Sequence, residues 1–552
     1  MKIIIIGGVA GGMSAATRLR RLDEQAEITV YEKGPYVSFA NCGLPFHLSG
    51  EIADRNDLIV QSAGKLQQRF NLNVQPNHEV IAIHPAEKAV VVRHAGEVLT
   101  AHYDRLILAP GSRPIVPELP GLATAKSVFT LHTIPDLDRI MASVNAPTTK
   151  RALLIGGGFI GLEVAESLRQ RGLAVTIVER TSHLLPPLDE EMAAMVQNEL
   201  TRHNVQVLTN QAIEAFKADG HVAVLHDGTR VTTDLTILAV GVRPANELAK
   251  AAGLELGWHG GLVVDTHYRT SDPNIYAVGD AILVKQQLTG DPTLIPLASP
   301  ANRQGRQVAD NVMGIAHPNR GSLGTAIVRT FGLTAAMTGL SERQVRQQQL
   351  TYQVVHVRGQ NHASYFPNGT PMTLKLVFNP QTGQLYGAQG VGAQGVDKRI
   401  DVLATAIKGG LTIDDLPELE LTYAPPFGSA KDPVNMLGYV AENLALGLSK
   451  SIQWHELPAA LAAGKQLLDV RNPDELKDDG RFPDSLNIPL DQLRDRLDEL
   501  NPQQAYVVSC FSGQRSYIAE RILRQRGFNV VNLDGAFSLY REVRPQDLIN
   551  LS

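Results

Sequence analysis

Only two cysteines occur in the 552-residue sequence, Cys42 and Cys510, and each stands where sulfur chemistry could be done. Cys42 lies in Ser38-Phe39-Ala40-Asn41-Cys42-Gly43-Leu44-Pro45. The Gly-Leu-Pro after it demands a turn or a helix start, and a helix N-terminus lowers a thiol pKa. Free cysteine is commonly an inert, buried small hydrophobe, so its surroundings must decide. Cys510 follows the apolar strand pattern Ala505-Tyr506-Val507-Val508-Ser509 and opens the loop Cys510-Phe511-Ser512-Gly513-Gln514-Arg515-Ser516, with a helical pattern over 517–526. Backbone N–H groups of such a loop turn inward at the helix N-terminus and stabilise a thiolate or persulfide. Two thiols so far apart make no disulfide framework. A reducing cytoplasm is expected, with both thiols free to react.

Two strand–turn–helix units must position Cys42. Ile3–Ile6 is a short continuous apolar run, the pattern of a strand buried on both faces. Gly7-Gly8-Val9-Ala10-Gly11-Gly12 follows, then a helical pattern over 13–22 and a strand over 28–31 ending at Glu32. Glycines let the backbone approach a pyrophosphate at the helix N-terminus, and the acid takes ribose hydroxyls. Val9 replaces the middle glycine of G-x-G-x-x-G. The second unit has the full pattern, Gly156-Gly157-Gly158-Phe159-Ile160-Gly161, between strands over 153–155 and 175–178, the latter ending at Glu179. Glu179 would repel a 2′-phosphate and favours NADH over NADPH; Arg180 beside it keeps NADPH possible. Asp104–Pro114 and Asp234–Pro244 repeat one pattern, a strand, a glycine (Gly111, Gly241) and a proline. They suggest crossings between two nucleotide domains, one inserted in the other. Asn274–Asp280 is a strand delivering Gly279 and Asp280 to its C-terminal end, where ligands bind in open α/β sheets. Asp280 suits a ribityl chain and also suits a helix N-cap.

Size and composition narrow the field. A chain this long needs several domains. Hydrophobic content of 43% and charged content of 19% are ordinary for a globular protein. A net charge of -5 indicates no bulk attraction to nucleic acid. No apolar run reaches membrane-spanning length, and the start runs straight into a glycine turn rather than a signal h-region.

Together these motifs resemble the FAD- and NAD-dependent pyridine nucleotide–disulfide oxidoreductases over roughly residues 1–445. Ser38–Pro45 resembles the single-cysteine branch: coenzyme A-disulfide reductases, NADH-dependent persulfide reductases, and NADH oxidases and peroxidases. The second cysteine of dithiol reductases is replaced by His47, so Cys42 must cycle through a mixed disulfide, a persulfide or a sulfenic acid. His47 itself could assist a proton transfer. The resemblance implies FAD contacts at Gly7, Gly8, Ala10, Gly11, Gly12, Glu32, Lys33, Gly111, Gly279, Asp280, Pro296, Leu297 and Ala298. It implies nicotinamide-nucleotide contacts at Gly156, Gly158, Gly161, Glu179 and Gly241. It places the flavin between nicotinamide and Cys42, and a coenzyme A part at Ser14, Arg18, Arg21, Ser38, Asn41 and Asn302. Arg18, Arg20 and Arg21 cluster on one helix, which suits phosphates. The segment after the flavin half resembles the family's dimerising domain, with Tyr365 and Tyr423 matching the phenols that reach across a dimer toward the reactive sulfur.

After a short linker, Gln466–Arg471, a charged helix expected after Leu490, and the Cys510 loop resemble the rhodanese domain. Four residues separate Cys510 from Arg515, a ring sized for sulfur rather than phosphate, with Arg515 as a substrate contact. The expected fold is α/β, with two Rossmann-like dinucleotide-binding domains, an α+β dimerisation domain and a rhodanese domain. The boundaries read as 1–115 with 244–320 for FAD, 116–243 for NAD, 321–447 for dimerisation and 452–552 for rhodanese. The function this implies is NADH-dependent reduction of coenzyme A persulfide, polysulfide or coenzyme A disulfide by a homodimer. Neither nucleic acid, membrane nor metal enters. NADH oxidase or peroxidase chemistry at Cys42, and a sulfur carrier or sensor, are the alternatives.

Overall fold

A computed structural model describes residues 1–549, so the last three residues of the expected rhodanese span lie outside the described residues. The chain divides into two compact units. One is Met1–Thr181 with Asn204–Gly324; the other is Ser182–His203 with Thr325 onward.

In the first unit, the strand Lys2–Ile6 is central because its isoleucines are buried on both faces. It pairs in parallel with Glu27–Glu32 on one side and Arg105–Leu108 on the other. Asn73–Pro76 and Ile275–Ala277 complete a five-stranded parallel sheet. The helix after the glycine turn spans Ala10–Leu22, starting three residues earlier than the sequence pattern suggests. Gly11 and Gly12 are helical despite their low propensity, because the helix must approach the strand closely. A Cβ on Gly12 would lie 1.9 Å from the Gly7 carbonyl oxygen. Gly7 itself has φ +101°, and a Cβ there would lie 2.0 Å from the oxygen of Ala109.

The second sheet repeats the design. Arg151–Ile155 pairs in parallel with Ala174–Val178 and Leu235–Leu238, flanked by Val205–Leu208 and Val128–Thr130. Its helix is Phe159–Gln170. The two repeated glycine–proline segments pair with each other: Ser112–Pro114 runs antiparallel to Val242–Pro244.

The second unit holds two sheets. Residues 321–445 form a five-stranded antiparallel sheet in which Ala326–Thr330 and Gln353–Gln360 are the edges. Helices Val396–Gly409 and Pro433–Ala445 follow. The last sheet is parallel, with Tyr506–Ser509 between Val530–Leu533 and Gln466–Asp469. No α-helix forms between Leu490 and Leu500. Leu490, Leu493, Leu497 and Leu500 carry helical spacing, but Asp498 and Glu499 would oppose the dipole at the helix C-terminus. The chain makes two 3-10 turns instead. A helix not expected from sequence, Pro473–Asp479, is capped reciprocally by Asn472 and Glu475.

Among the described residues, no helix is long and apolar enough to cross a membrane.

Candidate functional site

Cys42 sits in the 3-10 turn Asn41–Gly43, which runs directly into the helix Leu44–Ser49. Hydrogen bonds tie this segment to both glycine-turn units. Ser38, at φ +47°, donates its N–H to the Gly8 carbonyl at 2.8 Å. On the other side, the hydroxyl of Ser167 donates to the Pro45 carbonyl at 2.8 Å and Arg171 Nε to that of Leu48 at 2.8 Å. Cys42 is thereby held between the first glycine turn and the helix that follows the second.

The thiol is solvent-exposed on one side, with protein crowding it on the others. That partial burial, then the carboxylates of Glu163 and Asp280, push its pKa up. The lowering expected from the helix start is therefore overturned: the helix Leu44–Ser49 is short, while the carboxylates are unit charges. Asp280 accepts a hydrogen bond from the Ser112 hydroxyl at 2.9 Å, and burial pushes its carboxyl up. His132, lowered by burial, is influenced by Asp136, Asp280 and Lys33, and its carbonyl accepts from Asn41 Nδ2 at 3.2 Å. Neither His132, Glu163 nor Ser112 was marked by sequence, because each sits in an ordinary loop, helix or short strand and meets Cys42 or Asp280 only through the fold. His47 spends a ring nitrogen on the Ile52 carbonyl at 2.7 Å, a loop-shaping bond.

The glycine turns fit the dinucleotides the sequence implies. No side chain caps the helices Ala10–Leu22 and Phe159–Gln170, and neither has an acid in its first turn. Their N-terminal N–H groups and dipoles are open to a pyrophosphate. A Cβ on Gly158 or Gly111 would meet open space, where a nucleotide can approach. Glu32 accepts from the N–H groups of Gly8 and Gly34 at 2.9 and 2.8 Å, and Lys33 beside it is exposed. Glu179 accepts from Gly157 N–H at 2.7 Å and from both donors of Thr181 at 2.8 Å. Each carboxylate brackets its turn and keeps acceptor capacity for ribose hydroxyls. Gly241 has φ +103°, and Gly279 opens the turn that carries Asp280. Pro296 and Ala298 are exposed on either side of Leu297, the N-cap of the helix Ala298–Val312.

The expected coenzyme A contacts divide. Ser14 and Asn302 are joined at 2.6 Å, and Asn302 also reaches the Ala298 carbonyl. Arg18 is held by Asp310 at 2.7 Å, and Arg21 is exposed. Arg20 is no part of a phosphate-binding cluster: it is buried and donates to the carbonyls of Asp23, Glu24, Ala26, Phe70 and Asn71.

In the second unit, the sulfur of Cys510 is buried and accepts the Gly513 N–H at 3.1 Å, the inward-turned donor expected of this loop. Arg515 is bound bidentately by Glu475, both contacts at 2.6 Å, so its fork is fixed rather than free. Asp469 and Arg471 form a fully buried pair at 2.7 Å, with Arg471 stacked 3.8 Å over the Phe537 ring. The hydroxyls of Tyr365 and Tyr423 lie 2.8 Å apart. Both tyrosines are exposed, beside exposed Phe366 and Phe427. The carboxylates of Asp189, Glu191 and Glu342 converge as metal ligands could, but the ammonium of Lys375 already lies among them.

Comparison with known proteins agrees with this anatomy. Residues 1–305 match the pyridine nucleotide-disulphide oxidoreductases, 325–433 the dimerisation domain of that family, and 453–542 the rhodanese-like domain. A coenzyme A disulfide reductase of Staphylococcus haemolyticus is 36% identical, covering 80% of this chain and all of that protein. The solved structure of reduced Bacillus anthracis CoADR-RHD is 48% identical, covers 99% of each chain and superposes with a TM-score of 0.97. A NAD-dependent persulfide reductase from A. fulgidus is 36% identical over 98% of this chain and all of its own, with a TM-score of 0.93. The chain belongs to the pyridine nucleotide-disulphide oxidoreductases, with that family's dimerisation domain and a rhodanese-like domain following it.

Proposed function

We propose that this protein uses NADH to reduce coenzyme A persulfide, polysulfide or coenzyme A disulfide through Cys42, while Cys510 handles sulfane sulfur. The carrying observation is the suspension of Cys42 between the two glycine-turn units, with no other cysteine but Cys510. FAD at the Gly7–Gly12 turn, supplied by nicotinamide at the Gly156–Gly161 turn, would deliver the electron pair that returns oxidised Cys42 to its thiolate. The names of the relatives support the substrate class, and Glu179 supports NADH over NADPH.

The residues divide the work. Cys42 thiolate attacks the outer sulfur of a persulfide or one sulfur of a disulfide; the S–S bond breaks and the substrate thiolate leaves. Sulfur or coenzyme A remains on Cys42, and reduction by two electrons releases it as sulfide or thiol. Because burial, then Glu163 and Asp280, oppose the thiolate, the resting thiol is favoured in its protonated form. Ser14, Arg18 and Arg21 lie on the helix Ala10–Leu22, with Asn302 bonded to Ser14; together with Ser38 and Asn41 they would receive a phosphate-bearing substrate tail. Exposed Tyr365, Tyr423 and their aromatic neighbours suit burial in a homodimer, with the phenols donating to the partner's reactive sulfur. Two free thiols suit a reducing cytoplasm.

The test is anaerobic NADH oxidation with polysulfide or coenzyme A persulfide. Turnover should require substrate, yield sulfide, and vanish in Cys42→Ser. NADH oxidation by oxygen or peroxide alone at the same rate would instead favour the sulfenic acid cycle.

A further inference from the structure

Beside Phe511, the residue next to Cys510, lies a cation that does not come from the rhodanese-like domain. Arg358 lies on the edge strand Gln353–Gln360 of the dimerisation sheet. The backbone N–H of His356 donates to Asp534 at 3.1 Å, and His356 Nδ1 bonds the same carboxylate at 2.7 Å. Gln453 reaches the Val354 carbonyl of the same edge at 3.3 Å. His356 and Arg358, two apart, share a face of that strand, so the edge that docks on Asp534 also delivers Arg358. Its guanidinium lies 5.7 Å from the centre of the Phe511 ring, the residue next to Cys510. Arg541 lies 5.8 Å from the same ring.

The other charges nearby are engaged. Arg541 pairs with Asp479 at 3.2 Å and Arg515 with Glu475. Glu542 takes Asn198 and lies 3.6 Å from Arg202. Arg358 is half-buried and, among the described residues, has no ion pair or hydrogen bond. A half-buried guanidinium with no carboxylate in contact, only the more distant charge of Glu542, is costly unless an anion joins it, and its planar fork suits oxyanions.

We propose that Arg358 is the specificity-determining cation of the Cys510 site, receiving the oxyanion end of the sulfur donor that Cys510 attacks. This rests on Cys510 being a sulfur-accepting nucleophile. With thiosulfate, Cys510 thiolate bonds to the outer sulfur, the S–S bond breaks, and sulfite leaves with the electron pair. Much of the donor's charge, and most of the leaving group's, sits on oxygens that a nearby cation can hold. A phosphate-bearing persulfide offers the same chemistry at greater reach.

The experiment uses full-length flavoprotein carrying Cys42→Ser, so that Cys510 is its one thiol. Iodoacetate and iodoacetamide alkylate it with similar size and different charge. Arg358→Gln should slow iodoacetate about five-fold, the effect of one partly screened charge, and leave iodoacetamide nearly unchanged. Arg358→Lys should keep most of the preference, and salt should erode it. The KM for thiosulfate in sulfur transfer to cyanide should rise in step. Comparing coenzyme A persulfide with pantetheine persulfide separates the sources: a KM increase for the former alone assigns a phosphate, and one for thiosulfate alone assigns a small oxyanion. Equal slowing of both alkylating reagents, or no KM change with any anionic donor, overturns the proposal. A Cys510 inert to everything overturns the reading beneath it as well.

Discussion

Replacing Lys375 with methionine should loosen the second unit in a way that acid partly repairs. Lys375 is fully buried, with its ammonium 2.9 Å from Asp189 and Glu342 and in contact with Glu191. Burial alone works against its charge, but Glu191, Asp189 and Glu342 outweigh it and hold the ammonium well above its usual range. Burial likewise works against the carboxylates of Glu191 and Glu342, but Lys375 and, for Glu191, His356 hold them below their usual range. Removing one partner from such a buried cluster costs about 3–5 kcal/mol at neutral pH. Because the chain has several domains, one global unfolding free energy is ill-defined, and hydrogen exchange resolved by segment is the suitable assay. The helix Glu190–Arg202 carries Glu191 and packs on the dimerisation sheet. Its protection should fall by roughly a hundred-fold or more at pH 7, from that same 3–5 kcal/mol. In the parent, depressed carboxylates contribute stability above their unfolded pKa and lose it as pH falls. In Lys375→Met, mutual repulsion pushes them the other way, so protection should recover as pH falls from 7 toward about 5. Unchanged protection, or a loss equal at both pH values, would refute this reasoning.

Three further outcomes follow from other parts of the chain. His356 is raised to about 9: burial opposes its charge, but Asp534 and Glu191 prevail. Its contribution is complete below about 6.5 and lost as pH rises through about 9, so exchange near Asp534 should accelerate over that window beyond the intrinsic rate, and His356→Gln should lack this extra slope. Gly12→Ala puts a Cβ 1.9 Å from the Gly7 oxygen and should yield protein without bound flavin; Gly161→Ala, with its clash at 2.1 Å against Gly156, should retain flavin but raise the KM for NADH about ten-fold or more. Glu163→Gln should shift the pH profile of Cys42 alkylation downward, since that carboxylate helps hold the thiol protonated; an unmoved profile would remove Glu163 from the site's electrostatics.

What was legible in the sequence was local. Four isoleucines before Gly7, and Leu-Leu-Ile before Gly156, announce buried parallel strands because both faces are apolar. The Cys510 loop announces its inward N–H because strand, loop and helix are contiguous. The remainder depends on residues distant in sequence. Ser182–His203 lies between two strands of the second parallel sheet yet folds with the second unit, because Met192, Val196 and Leu200 bury there. Arg20 resembled its arginine neighbours until the carbonyls of Phe70 and Asn71 closed over it. Glu475 became the holder of Arg515, and Arg358 the neighbour of Phe511, only through tertiary packing. The pKa of the Cys42 thiol rises rather than falls for the same reason: the protein that buries it, and then Glu163 and Asp280, come from distant segments.

The most direct measurement is anaerobic turnover of NADH with coenzyme A persulfide by parent and Cys42→Ser proteins, with sulfide assayed alongside. The expected result is one sulfide released per NADH consumed by the parent and none by the variant. Sulfide production that survives loss of the Cys42 sulfur would contradict the role assigned to it.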